Sequence, residues 1–267
     1  MEAVWAIMFG LAIGLGLYGW CWWALENKEA VEFVRRNVWL HPNSICYWRT
    51  IIGCFGVWQY FVIGQESLGI IVFTVSAVMD GVDGLVARRC RLATVWGETL
   101  DPLCDKLTYL PALIGFAYQG ILPGDLLTVF IAIEFFGQFF ARKVLSYLGL
   151  SGAANNFGKI KANICFALVI YCAILKTDLG FPQIGDNLLW SCIFFGLSSI
   201  AFKFIPNKFY ADILSILNLI CGIIGLILSY HGHFVMATMS VMVGQVFDLF
   251  DGRMAEKHGG TRLGPYL

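Results

Sequence analysis

Four aspartates carry the chemistry written most plainly in this chain. Asp80 and Asp83 stand three residues apart, and Asp101 and Asp105 stand four apart. On helices those spacings put each pair on one face. Between the pairs, Arg88-Arg89-Cys90-Arg91 is a short basic turn. It would fold two helices into an antiparallel hairpin on which the four carboxylates converge. Carboxylates gathered in a low-dielectric setting repel one another, and divalent cations relieve that repulsion. All-oxygen ligation points to Mg²⁺ or Mn²⁺, and metals beside a basic turn would seat a pyrophosphate. Gly81, Gly84 and Gly97 flank the acids and leave room for close approach of backbone or ligand. A purely structural alternative is salt bridging of Asp80 and Asp83 with Arg88, Arg89 and Arg91.

The helices that position these acids belong to a membrane. The chain has 267 residues, 58% hydrophobic and 13% charged, with a mean hydropathy of +0.73. A soluble domain carries roughly 25% charged residues, so lipid must cover much of the surface. Eighteen Lys and Arg balance eighteen Asp and Glu, which gives no argument for nucleic acid as a partner. Nine cysteines show neither CxxC nor Cys/His ligand spacing; Cys21, Cys54, Cys165, Cys172, Cys192 and Cys221 lie in apolar runs. That favours buried thiols over disulfides or a zinc site.

A spanning helix needs about 20 mainly apolar residues. Such runs lie near 3–25, 45–64, 68–87, 98–119, 122–141, 162–177, 187–204, 209–230 and 233–250. The expectation is an all-α polytopic protein of about nine helices. The first run lacks a basic leader and is longer than a signal-peptide core, so it reads as a retained helix. With the N-terminus outside, every Lys and Arg except Lys176 falls on or nearest to the cytoplasmic side, as the positive-inside rule requires. Residues 26–37 suit either a short interfacial helix or a solvated charged linker.

The pattern Asp80-x-x-Asp83-Gly84-x-x-Ala87-Arg88, then Gly97-x-x-x-Asp101-x-x-x-Asp105, resembles the signature of the CDP-alcohol phosphotransferases. Every position of that signature is filled. The resemblance implies an integral membrane enzyme of phospholipid synthesis, with its site at the cytoplasmic face and a homodimeric assembly. Its partners would be CDP-diacylglycerol, a polar acceptor alcohol and membrane lipids. Asp80, Asp83 and Asp101 would ligate two Mg²⁺ or Mn²⁺ ions, with Asp105 as general base and further ligand. Gly84 and Ala87 would give the cytidine room, Gly97 would complete the motif, and Arg88 would support the nucleotide end.

Three further segments bear on the acceptor. Pro42-Asn43 with Arg49, Leu100-Asp101-Pro102-Leu103-Cys104-Asp105-Lys106, and Gly158-Lys159-Ile160-Lys161 resemble elements of the phosphatidylglycerophosphate synthases. Cys46 stands where those usually carry Thr. Lys159 and Lys161 at a helix start would suit an acceptor phosphate, or would anchor a helix at anionic headgroups. Glycerol 3-phosphate is the preferred acceptor, with inositol phosphate and serine behind it.

The end of the chain repeats the first half of the signature as Asp248-Leu249-Phe250-Asp251-Gly252-Arg253-Met254-Ala255-Glu256, with Asn218 standing 30 residues before Asp248. Ser215-x-x-Asn218 there looks more like the phosphatidylserine synthase branch. The expected organisation is an N-terminal helix at 1–26, a catalytic domain at 27–204 and a truncated repeat at 205–267. Two rivals remain: a cation carrier or channel, whose acids would scatter near the bilayer midplane, and a non-catalytic scaffold that kept the motif.

Overall fold

Why the acids converge is decided by how closely three helices approach one another. The computed structural model describes residues 2–147, 156–177, 180–204 and 209–234, and beyond them 237, 238, 240–242, 244, 245 and 248. Among these residues all regular structure is helical. In order, the helices are α1 (Glu2–Ala24), α2 (Lys28–Arg36), α3 (Pro42–Trp58), α4 (Glu66–Arg89) and α5 (Val95–Tyr118). They continue with α6 (Gly124–Phe135), α7 (Arg142–Tyr147), α8 (Asn156–Leu175), α9 (Pro182–Phe204) and α10 (Tyr210–Tyr230). Single π turns at Gln59–Ile63 and Phe136–Ala141 extend α3 and α6.

Among the described residues, six helical stretches are long and apolar enough to cross a bilayer: α1, α4, Gly124–Leu145, all of α9, and most of α8 and α10. The protein is therefore an integral membrane protein of the polytopic all-α class. Two expected spans have other compositions. α3 runs only 17 residues before its π turn, and α5 carries Glu98, Asp101, Asp105 and Lys106 in its first half. The run at 233–250 is described only in part.

Residues 26–37 fold as the short helix rather than a linker. The Asn27 side chain caps α2 by accepting from the Glu29 N–H at 2.9 Å, and Arg35 and Arg36 close its last turn, where cations suit the helix dipole. Arg35 Nε donates to the Cys90 carbonyl at 3.0 Å, which ties α2 to the end of α4. The turn after α4 passes through Arg91 at φ +55°, an uncommon left-handed conformation for a residue with a side chain.

Small residues set the interhelical distances. Apolar side chains gain nothing by leaving lipid for a helix interface, so close backbone approach must hold the helices together. A Cβ on Gly56 of α3 would lie 2.8 Å from the Phe73 nitrogen of α4, and one on Gly69 would lie 2.8 Å from the Gly56 carbonyl. On the other flank of α4, a Cβ on Gly10 of α1 would meet Thr74 at 2.9 Å, and one on Gly14 would meet Val78 at 2.8 Å. An aromatic core continues into α5 and α8, where Phe73 and Tyr109 both contact Phe166 at 5.8 Å between ring centroids.

Not every thiol is buried, contrary to the expectation from apolar runs. All nine cysteines are free, but Cys54 is exposed and Cys21 and Cys221 are half-buried. Lipid accepts an apolar side chain as readily as a core does, so burial within protein does not follow from an apolar run.

The chain forms two compact units, one holding 1–147 and 151–200, the other 148–150 and 201–267. Within the second, α10 repeats part of the glycine pattern of α3, although a Cβ on Gly222 would have no neighbour within 4 Å where one on Gly53 would meet Thr108 and Ser76. Gly53 and Gly56 follow Arg49 by four and seven residues, as Gly222 and Gly225 follow Asn218. A Cβ on Gly225 would meet Val241 at 3.0 Å and the Ala237 carbonyl at 3.4 Å. Asn218 Nδ2 donates to Asp248 Oδ1 at 3.4 Å. The remaining repeat residues expected to do chemistry, Asp251 to Glu256, lie outside the described residues.

The glycine seam is directly testable. Gly56→Val should lower the unfolding free energy in mixed micelles by about 1–3 kcal/mol, the usual cost of overpacking. Gly19→Val, with nothing within 4 Å of the added Cβ, should change it by less than about 0.5 kcal/mol. Equal effects at the two positions would show that the seam does not set the packing.

Candidate active site

One buried arginine organises the acids. Arg49 of α3 is 1% exposed, and its Nη1 lies 2.9 Å from Asp80 Oδ1 and 2.8 Å from Asp105 Oδ1. Its Nε lies 3.3 Å from Asp83 Oδ2, and Nη2 donates to Cys46 Sγ at 3.6 Å. The α4–α5 hairpin thus converges on a cation supplied by a third helix.

The alternative of salt bridges to the basic turn is corrected by this geometry: Asp80 and Asp83 pair with Arg49. Arg89 instead lies over the Trp22 ring, 5.5 Å from its centroid. Arg88 reaches back along α4, its Nη2 3.9 Å from where a Gly84 Cβ would stand. Sequence reasoning placed Arg49 only as the last member of the Pro42-Asn43 motif that opens the second span. An arginine seven residues into an apolar helix was the signal, because charges inside spans are costly and need partners.

The acids differ in burial. The side chains of Asp83 and Asp105 are 7% and 14% exposed, that of Asp80 is 40% exposed, and Asp101 is exposed as a residue. Asp101 joins the cluster through its distance to Asp83: one carboxylate oxygen of each, with Cys46 Sγ, lies within 4.8 Å of the others. One guanidinium cannot by itself neutralise four carboxylates. Asp83 Oδ2 and Arg49 Nε, although close, are misaligned, and neither makes a hydrogen bond. The donors gathered here, carboxylate oxygens beside the Cys46 sulfur, suit a divalent cation.

The rim of the site is built by helix starts. Thr94 caps α5 by accepting from the Gly97 N–H at 3.0 Å, and Asn43 Nδ2 donates to Thr94 Oγ1 at 3.3 Å. A Cβ on Gly97 would lie 2.9 Å from Asn43 Oδ1, so the glycine is required for this corner to close. Asn43 and Gly97, read from separate motifs, meet here. Seryl and glycyl positions bring α3 to its neighbours: Ser76 Oγ donates to the Arg49 carbonyl at 2.8 Å. A Cβ on Gly53 would strike both Thr108 and Ser76.

The two lysines at the start of α8 have different surroundings. Lys159 is exposed, and its charge acts on Asp101. Lys161 is held 2.5 Å from Glu134 Oε1 of α6. Glu134, 3% exposed, also lies 3.4 Å from Lys106 Nζ and accepts from Tyr109 Oη at 3.1 Å. Gly196 of α9 packs beside the pair: an added Cβ would meet Ile133 at 3.3 Å and touch Glu134 Oε1 and the Lys161 side chain at an ordinary 3.7 Å. Sequence reasoning missed Glu134, although an acid in the middle of the 122–141 apolar run is the same kind of signal as Arg49.

These residues lie within a recognisable sequence family. The family model described as CDP-alcohol phosphatidyltransferase matches residues 39–198 and again 208–267, and the chain belongs to that family. It is 34% identical over 152 residues to the CDP-diacylglycerol–glycerol-3-phosphate 3-phosphatidyltransferase of Bacillus subtilis (strain 168), covering 53% of this chain and 77% of the relative. The protein of the same name from Rickettsia felis is 27% identical over 140 residues, 48% of this chain and 72% of the relative. A cardiolipin synthase (CMP-forming) of Streptomyces coelicolor is 38% identical over 73 residues, covering 27% and 34%. No solved structure matches the chain.

The Glu134 cluster yields a stability prediction. Glu134→Ala strands Lys161 and leaves Lys106 without this carboxylate, and removing one partner of a buried pair costs about 3–5 kcal/mol. Glu32→Ala breaks only the exposed Arg36 pair of α2 and should cost less than about 1 kcal/mol. Unfolding titrations in mixed micelles measure both; a Glu134→Ala loss no larger than that of Glu32→Ala would contradict the assignment.

Proposed function

We propose that the chain transfers a phosphatidyl group from CDP-diacylglycerol to glycerol 3-phosphate, with release of CMP. The observation that carries this reading is the convergence of four acids: Asp80, Asp83 and Asp105 pair with Arg49, and Asp101 comes within 4.8 Å of Asp83. Family membership and the names of the Bacillus and Rickettsia relatives support the reaction class and the acceptor. The basic turn at Arg88, Arg89 and Arg91 supports a site at the cytoplasmic face.

Asp80, Asp83 and Asp101 are the proposed ligands of Mg²⁺ or Mn²⁺, with Asp105 at the edge of the set. Bound there, divalent ions would neutralise the pyrophosphate and stabilise the departing phosphate. Asp105 is the proposed general base. Arg49 fixes its Oδ1, which leaves Oδ2 to take the proton from the acceptor hydroxyl. The hydroxyl oxygen then bonds to the phosphorus that carries the diacylglycerol, and the bond from that phosphorus to the CMP oxygen breaks. Gly84 and Ala87 present little side chain to the nucleotide, and Arg88 lies along the same face of α4. Lys159 is the proposed contact for the acceptor phosphate, with Lys161 behind it in the Glu134 pair. The second unit is proposed to be a family repeat that has Asn218 where the first has Arg49.

The test is CMP release by the purified protein with CDP-diacylglycerol, Mg²⁺ or Mn²⁺, and a panel of acceptors. Glycerol 3-phosphate should turn over fastest and excess chelator should stop the reaction; faster turnover with serine or inositol phosphate would overturn the acceptor. Asp105→Asn should lower kcat by about 100-fold or more. Lys159→Gln should raise the KM for glycerol 3-phosphate by roughly ten-fold or more, the equivalent of a charged hydrogen bond of about 1.5–3 kcal/mol, with the KM for CDP-diacylglycerol little changed. Asp80→Ala should abolish activity while Asp248→Ala leaves it nearly intact; the reverse pattern would place the working site in the other unit.

A further inference from the structure

The acid cluster contains one donor that is not oxygen. Cys46 lies three residues before Arg49 on α3 and is fully buried. Its Sγ and one carboxylate oxygen each from Asp83 and Asp101 lie within 4.8 Å of one another. The three donors come from three helices, α3, α4 and α5, so their proximity is a product of tertiary packing. At the same place Asp83 Oδ2 is buried and makes no hydrogen bond, with Arg49 Nε misaligned 3.3 Å away.

The donor set has chemical consequences. Mg²⁺ takes hard oxygen ligands in a near-ideal octahedron, and sulfur is a poor ligand for it. Zn²⁺ and Co²⁺ accept mixed sulfur and carboxylate donors, with the metal–sulfur bond near 2.3 Å for zinc. Two ligands of one such ion stand roughly 3–4 Å apart by that bond length, within the spread already present.

We propose that Cys46, Asp83 and Asp101 together bind a zinc-class divalent cation, with the Cys46 sulfur as a direct ligand. The proposal rests on the carboxylates being cation ligands and adds the sulfur. On binding, the sulfur gives an electron pair to the ion and the thiol proton passes to water. A zinc-class ion therefore binds more tightly here than Mg²⁺, and this position of the site has a metal preference unlike that of an all-oxygen cluster.

The experiment titrates Co²⁺ into the purified full chain in detergent and records the near-ultraviolet thiolate-to-cobalt charge-transfer band. The native chain should develop the band, Cys165→Ser should keep it, and Cys46→Ser should lose it while its Co²⁺ affinity falls at least ten-fold. Co²⁺ binding by the native chain without the band, a result that needs no variant to fold, would overturn the sulfur ligand and leave the carboxylate reading standing. A band that survives in Cys46→Ser would also overturn it. Failure of the native chain to bind either Co²⁺ or Mg²⁺ would overturn the carboxylate reading along with it.

Discussion

The buried guanidinium of Arg49 is the constraint on which the rest of this structure depends. Two carboxylates 4 Å apart repel by about 4 kcal/mol at an effective dielectric of 20, and four acids meet here. Arg49 reaches Asp80, Asp83 and Asp105 at once, a reach that suits a forked, planar cation. That reach requires α3 to lie against both α4 and α5. Gly53, Gly56 and Gly69 permit it by removing the side chains that would hold the helices apart. The seam and the site are thus one arrangement seen at two levels, packing and charge.

The charge balance also explains the division of labour among the acids. Asp83 and Asp105 are drawn into the protein beside Arg49, whereas Asp80 and Asp101 stay open to the outside of the bundle. A buried anchor on one side and accessible oxygens on the other suit a cluster that must exchange ligands. The Glu134 group behaves differently. Its carboxylate is met by Lys161, Lys106 and Tyr109, and satisfied buried networks of this kind rigidify their surroundings.

How much of this was legible beforehand follows from what periodicity can express. The spacing of Asp80 with Asp83 and of Asp101 with Asp105 defines helix faces, and hydropathy defines spans, so the hairpin and the polytopic architecture are readable. The partner of the acids is not, because Arg49 stands 31 residues upstream of Asp80 and no local pattern joins them. The same limit hid the pairing of Lys161 with Glu134, 27 residues apart. Cys54 shows a second limit, since an apolar helix position does not distinguish lipid from protein. Lys159 and Lys161 show a third: identical residues two positions apart on a helix face different ways, and only packing tells which one stays accessible.

The packing of α1 along α4 has a consequence for traffic within the bilayer. Gly10 and Gly14 bring α1 onto Thr74 and Val78, and Tyr18 continues the contact to Gly81 at 3.2 Å from its missing Cβ, one residue beyond Asp80. That whole flank of α4 is sealed against lipid, as the opposite one is by α3. A molecule with two fatty tails diffusing in the leaflet has no lateral doorway there. The N-terminal helix, which carries none of the acids, therefore narrows the directions from which a lipid can be offered to them.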